Sequence, residues 1–222
     1  MTCYCSTYIK NQTEVIMRVS ICSAIFILAI FNVRESSAAT DKVICYYGSW
    51  STYRSGKGKF DVENIDPKLC THLIYTFVGL LPDATIRVLD EYNDLEENWG
   101  KGGFKRFNKL KQLNPKLKTM IAIGGFNEGS VTYSNVMASD TLREKFVQNV
   151  VAFVTKYNFD GFDLDWEYPA QRGGASYDVS NFSKLIQELR AVFDPHRLLL
   201  SAAVAAAEFS VSQSYDVPEL SK

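Results

Sequence analysis

Residues 159–169 read Phe-Asp-Gly-Phe-Asp-Leu-Asp-Trp-Glu-Tyr-Pro, with Asp163, Asp165 and Glu167 alternating with Phe162, Leu164 and Trp166. Alternate residues of a strand point to opposite faces, so this segment, as a strand, lines one side with three carboxylates and the other with three large apolar groups. A purely structural buried strand avoids that pattern, because gathering carboxylates costs desolvation and mutual repulsion. A carboxyl crowded by carboxylates has a raised pKa, which keeps a proton donor available near neutral pH. The flanking Phe and Trp argue against a solvated acidic edge. A calcium loop needs Gly at its sixth position and Glu at its twelfth, and this segment has neither. The pattern therefore predicts a catalytic strand.

Outward from that strand, β-rich runs recur at 43–50, 72–80, 119–126, 159–168 and 198–205, their starts separated by 29, 47, 40 and 39 residues. Helical stripes fill most of the gaps. Phe104, Phe107, Leu110 and Leu113 form one, ended by Asn114-Pro115. Leu142, Phe146, Val147, Val150 and Val154 form another, with Thr141 and Glu144 spaced as a capping box. Phe182, Leu185, Ile186, Leu189 and Phe193 form a third, stopped at Asp194-Pro195. Such alternation predicts an α/β chain built of parallel β/α units.

The 222 residues are 46% hydrophobic and 13% aromatic with net charge −1, the composition of an ordinary globular chain. Near-neutral charge without a basic stretch gives no support to a nucleic-acid partner. His72 and His196 lie far apart and no Cys/His cluster has ligand spacing, so neither a metal nor another cofactor is expected.

At the N-terminus, Met17-Arg18 precedes an apolar run over 19–33, and Ser37-Ala38-Ala39 offers small residues for cleavage. That run suits a signal-peptide core and is short for a membrane span. Residues 17–39 are thus expected to be a signal peptide, 1–16 an upstream extension with translation starting at Met17, and 40–222 a secreted, extracellular chain free of membrane. An uncleaved anchor is the alternative. Cys45 and Cys70 then remain, either as a disulfide or as two buried thiols. The sequon Asn181-Phe182-Ser183 falls in a predicted helix, which leaves its glycosylation open.

The carboxylate segment resembles the Asp-x-x-Asp-x-Asp-x-Glu signature of the family 18 glycoside hydrolases, the chitinases, in Asp160, Asp163, Asp165 and Glu167 followed by Tyr168-Pro169. The resemblance extends over about 43–222. Cys45-Tyr46-Tyr47-Gly48-Ser49-Trp50 looks like the first strand of animal members, and Cys70-Thr71-His72-Leu73-Ile74-Tyr75-Thr76-Phe77 like the second. Residues 118–127, with Gly124-Gly125, look like the third, and Leu198-Leu199-Leu200-Ser201-Ala202-Ala203-Val204 like the fifth. The implied fold is a (β/α)8 TIM barrel, represented by its N-terminal part and stopping after about five strands. In such barrels the chemistry sits at the C-terminal strand ends.

The resemblance also implies roles. Chitin or chito-oligosaccharides would be the substrate, and the substrate's own acetamido group the nucleophile, outside the two-carboxylate scheme. Glu167 would donate the proton and later act as base, and Asp165 would orient the acetamido group. Asp163 would share a proton or hydrogen bond with Asp165, the three titrating as a cluster. Asp160, at the opposite parity, reads as a structural acceptor at the strand start. Tyr46, Trp50, Phe77 and Phe126 match pocket or platform positions but would equally suit a barrel core, and Phe126 stands where the family usually has Trp. Gly124 and Gly125 would let backbone approach a ring, Asn127 ends the matching stretch, Glu91-Tyr92 matches a glycan-contacting pair loosely, and Tyr168 would reach sugar. Cys45 and Cys70 would form the family's disulfide. The family's sixth-strand Met-x-Tyr-Asp and eighth-strand Trp do not occur in these residues, so the 222-residue chain alone is expected neither to fold stably nor to hydrolyse chitin. A chitin-binding lectin of the same fold is the alternative function, and retained Glu167 argues against it.

Overall fold

The structure, a computed structural model, describes residues 42–222. The predicted extension, leader and cleavage point, with Thr40 and the cysteines at 3, 5 and 22, lie outside the described residues. Six strands form: β1 (Ile44–Gly48), β2 (His72–Leu80), β3 (Ile86–Val88), β4 (Lys118–Gly124), β5 (Gly161–Asp165) and β6 (Leu199–Ala202). Five of them run parallel in the order β1-β2-β4-β5-β6, as the alternation of runs and stripes requires. The helices between them are α1 (Glu91–Asp94), α2 (Gly103–Leu113), α3 (Val131–Ala138), α4 (Asp140–Lys156) and α5 (Asp178–Phe193), followed by α6 (Glu208–Ser214) and α7 (Val217–Leu220).

Strand parity sorts the sheet into two faces. Leu73, Tyr75, Ile121, Ile123, Phe162 and Leu164 join Phe104, Phe107, Phe146, Val150, Phe182 and Leu189 of the helices in one large core. Burying a Phe or Leu this completely is favourable by about 1.5–3 kcal/mol each. The opposite face carries a smaller apolar set, Ile74, Met120 and Ala122 with Ile44, Tyr46, Phe77 and Leu199 packed around it. Asp163 and Asp165 emerge on this second face, in register with Ala122 and Gly124.

Two expectations are corrected. The fourth run is shorter than 159–168, because its partner β4 ends at Gly124, opposite Asp165, and the backbone turns away at Gly125 with φ +85°. Glu167 therefore sits in the loop beyond the strand rather than on it. The cap of α4 is Ser139, whose Oγ accepts from the Leu142 N–H at 3.3 Å, not a Thr141–Glu144 box. Between β1 and β2 there is no α-helix but short 3-10 turns, among them Val62–Asn64, closed by reciprocal Asp61–Asn64 capping. Strand β3 was not legible: it folds back antiparallel on β2 through a turn with Ala84 at φ +68°.

Cys45 and Cys70 form a disulfide with Cα atoms 6.2 Å apart, tying β1 to the residues just ahead of β2. Closing a span of 25 residues stabilises the fold by about 3 kcal/mol on the chain-entropy model. Unreduced peptide mapping should find the pair linked; alkylation of both thiols in native protein would refute it. Asn181 is 7% exposed on α5 and Phe182 beside it is in the core, so the folded chain closes that sequon to a glycan.

Candidate active site

Asp163 is fully buried on the second face. Its carboxylate accepts from the Tyr46 hydroxyl at 3.1 Å and from the Ser201 hydroxyl. Burial pushes the Asp163 carboxyl up to about 6, while the Ser201 and Tyr46 bonds pull the other way. Tyr46 is held well above its ordinary value by burial and by the Asp163 charge, so it remains a donor at any working pH.

Asp165 follows at the end of β5, 8% exposed. Burial, the Glu167 charge and then the Asp163 charge push its carboxyl up to about 7. Both aspartates that share the strand face are thus raised. No side-chain hydrogen bond offsets the burial of Asp165 among the described residues, and this has a sign for stability. A raised carboxyl stabilises the fold below the unfolded value near pH 4 and loses that contribution as pH climbs through about 7. Asp165→Asn in a barrel-complete enzyme should therefore leave the melting temperature unchanged near pH 4 and raise it near pH 8. The gain should be on the order of 2 kcal/mol. Equal shifts at both pH values would show that Asp165 is not buried as a strained carboxyl.

Glu167 lies two residues past the strand, partly exposed, and the Glu167–Tyr168 peptide is cis, as is Thr76–Phe77. Trp166 before it points to the outer core, 2% exposed, stacked on Tyr133 at 5.6 Å. Tyr168 after it is partly buried against the same core. The two glycines let protein atoms approach closely. A Cβ on Gly124 would strike the Asp165 carbonyl oxygen, and one on Gly125 would meet the Phe77 ring at 2.8 Å.

Trp50 is half-exposed and stacks on Phe77, centroids 6.0 Å apart with planes 14° from parallel. Phe126 is exposed, with the Arg172 guanidinium 3.7 Å from its ring centroid, and Asn127 beside it is also exposed. Glu91 and Tyr92 open α1 at the surface. There Lys101 lies over both Tyr92 (5.3 Å) and Tyr53 (4.7 Å). Asp160 accepts from the Thr119 N–H at 2.9 Å and from Lys111 at 3.1 Å, stitching the start of β5 to β4 and α2.

Sequence reasoning passed over three residues that touch this constellation: Ser201, Ser130 and Arg172. Ser201 faces Asp163 in the β5–β6 register, and its signal was a lone hydroxyl in an apolar run. Ser130 and Arg172 carried no local signal.

Residues 42–222 match the family model for glycosyl hydrolases family 18. Over 181 residues the chain is 48% identical to a probable chitinase 2 of Drosophila melanogaster, covering 81% of this chain and 37% of that protein. A solved group IV chitinase of Ostrinia furnacalis, in complex with allosamidin, is 49% identical at TM-score 0.77, covering 81% of this chain and 48% of that one. The human protein YKL-39, described as a pseudo-chitinase with retained chitooligosaccharide binding, is 34% identical at TM-score 0.69 with 81% and 48% covered. The chain thus spans less than half the length of each. The parallel sheet corresponds to the N-terminal part of the barrel these proteins share, and with the family model covering the entire described region, the chain belongs to glycosyl hydrolase family 18.

Proposed function

We propose that this chain supplies the acid-bearing half of a secreted chitinase that cleaves β-1,4 bonds between N-acetylglucosamine units. The observation that carries this reading is that Asp163 and Asp165 share one face at the C-terminal end of a parallel strand, with Glu167 two residues beyond it, where barrel enzymes keep their chemistry. Glu167 protonates the glycosidic oxygen as the C–O bond breaks. The substrate's acetamido oxygen bonds to the anomeric carbon from the other side, giving a cyclic oxazolinium. Asp165 accepts the acetamido N–H and stabilises that cation. Water then attacks the anomeric carbon, returning its proton to Glu167. Asp163, fixed by Tyr46 and Ser201, sets the charge of Asp165 from beneath. Trp50 and Phe126 offer apolar faces to sugar rings, and the disulfide suits an oxidising, extracellular destination.

The test is product stereochemistry and acetamido dependence in a barrel-complete enzyme. Chito-oligosaccharide should give the β-anomer first, and replacing the acetamido group of the reacting sugar by a free amine should abolish cleavage. Binding without any cleavage of the acetylated substrate would favour a lectin of the same fold.

A further inference from the structure

Among the described residues no side-chain hydrogen bond holds the Glu167 carboxylate, and its backbone is the part of it that its neighbours hold. Two side chains outside the carboxylate strand hold the loop that carries it. Ser130, fully buried, accepts from the Trp166 indole N–H at 3.0 Å and donates to the Tyr168 carbonyl at 3.0 Å. One hydroxyl thus ties the residue before Glu167 to the residue after it. Ser130 stands at the N-cap of α3, where a serine oxygen ordinarily accepts from the first helical turn and stabilises it by about 1 kcal/mol. Here it makes no capping bond. The hydroxyl is turned away from its usual task and spent on the acid loop.

The second grip is Arg172. Its Nη1 donates to the Glu167 carbonyl at 3.2 Å and to the Phe126 carbonyl at 2.7 Å, and its guanidinium lies on the Phe126 ring. It joins the loop after β4 to the loop after β5. Arg172 is itself placed by a loop organised on Asp178, fully buried, whose carboxylate accepts from the Ala170 N–H (3.1 Å), the Ala175 N–H (2.8 Å) and the Ser134 hydroxyl (2.7 Å).

We propose that Ser130 and Arg172 are positioning residues for Glu167, acting together as a clamp that aims its proton at the glycosidic oxygen. This rests on the reading of Glu167 as the acid. A misplacement of about 1 Å can cost about a hundredfold in rate. Loss of either clamp residue should therefore lower kcat about ten- to a hundredfold on chito-oligosaccharide, with KM changed less than about twofold.

The distinguishing experiment varies the leaving group in a barrel-complete enzyme. A nitrophenyl chitobioside expels a stable phenolate and needs little protonation, whereas an oligosaccharide expels a sugar alkoxide and needs the acid fully. Ser130→Ala and Arg172→Ala should each lose at least about ten times more activity on the oligosaccharide than on the nitrophenyl substrate, the direction set by acid catalysis. Equal losses on both substrates would mean a merely structural role and overturn the proposal, as would unchanged kcat. Arg172, at the surface, keeps the test open if the buried Ser130→Ala chain does not fold. Glu167→Gln run alongside separates the two readings: if it shows no such substrate bias, the assignment of the acid fails first.

Discussion

Glu167→Gln in a barrel-complete enzyme is expected to lower chitin hydrolysis by about 10²–10⁴-fold or more while leaving chito-oligosaccharide affinity nearly intact. The amide has the size and shape of the carboxyl, and no carboxylate hydrogen bond among the described residues is lost with it. What disappears is a proton that can be transferred and then taken back. The aspartates cannot substitute, because Asp163 is sealed between Tyr46 and Ser201 and Asp165 faces the acetamido group on the proposed pose. Binding should persist, since the apolar faces of Trp50 and Phe126 are untouched. The measurement is kcat and Kd on one soluble oligosaccharide. Undiminished turnover would remove the carboxylate row from the chemistry.

Gly124→Ala is expected to be the most damaging single methyl group near this site. Gly124 has φ +111°, a conformation that L side chains avoid, and an added Cβ would run into the Asp165 carbonyl oxygen. That oxygen cannot retreat easily, because it accepts from the Gly125 N–H at 2.8 Å. The Tyr133 hydroxyl would stand 3.3 Å from the same Cβ. Strain plus overpacking should cost about 3 kcal/mol or more, a large part of a domain's usual margin. Gly129→Ala is the control: it also has positive φ (+68°) but open space where a Cβ would go. With ψ −165° it lies in a region that side chains avoid, so it should still cost about 1–3 kcal/mol, but without the steric clash. Similar melting shifts for the two variants would mean that backbone angle alone, not the approach of β5, fixes the glycine.

What was legible in the sequence was what depends on neighbours along the chain. The parity of residues 162–167 put the aspartates on one face and Phe162, Leu164 and Trp166 on the other, and the apolar stripes marked α2, α4 and α5. The N-cap of α4 was misread because Ser139 and Thr141 are both competent caps, and helix geometry two residues earlier chose between them. β3 escaped because three residues carry no period, and its pairing is imposed by the turn after β2. The partners that shape the site were illegible for a different reason. Tyr46 is 117 residues from Asp163, Ser201 is 38 away, and Ser130 is 36 from Trp166. Nothing in a local pattern says which hydroxyl a distant segment will bring to a carboxylate or to the acid loop.

The Tyr46–Asp163 hydrogen bond also serves as a gauge of shape. β1 and β5 are three places apart in the sheet, which at the usual spacing separates them by about 14 Å. On a flat sheet two side chains standing perpendicular at that separation would run side by side and never meet. Their oxygens are 3.1 Å apart, so the inward normals of the strands must converge. The concavity of the trough is therefore already written into these five parallel strands, spanned by a single tyrosine like the string of a bow.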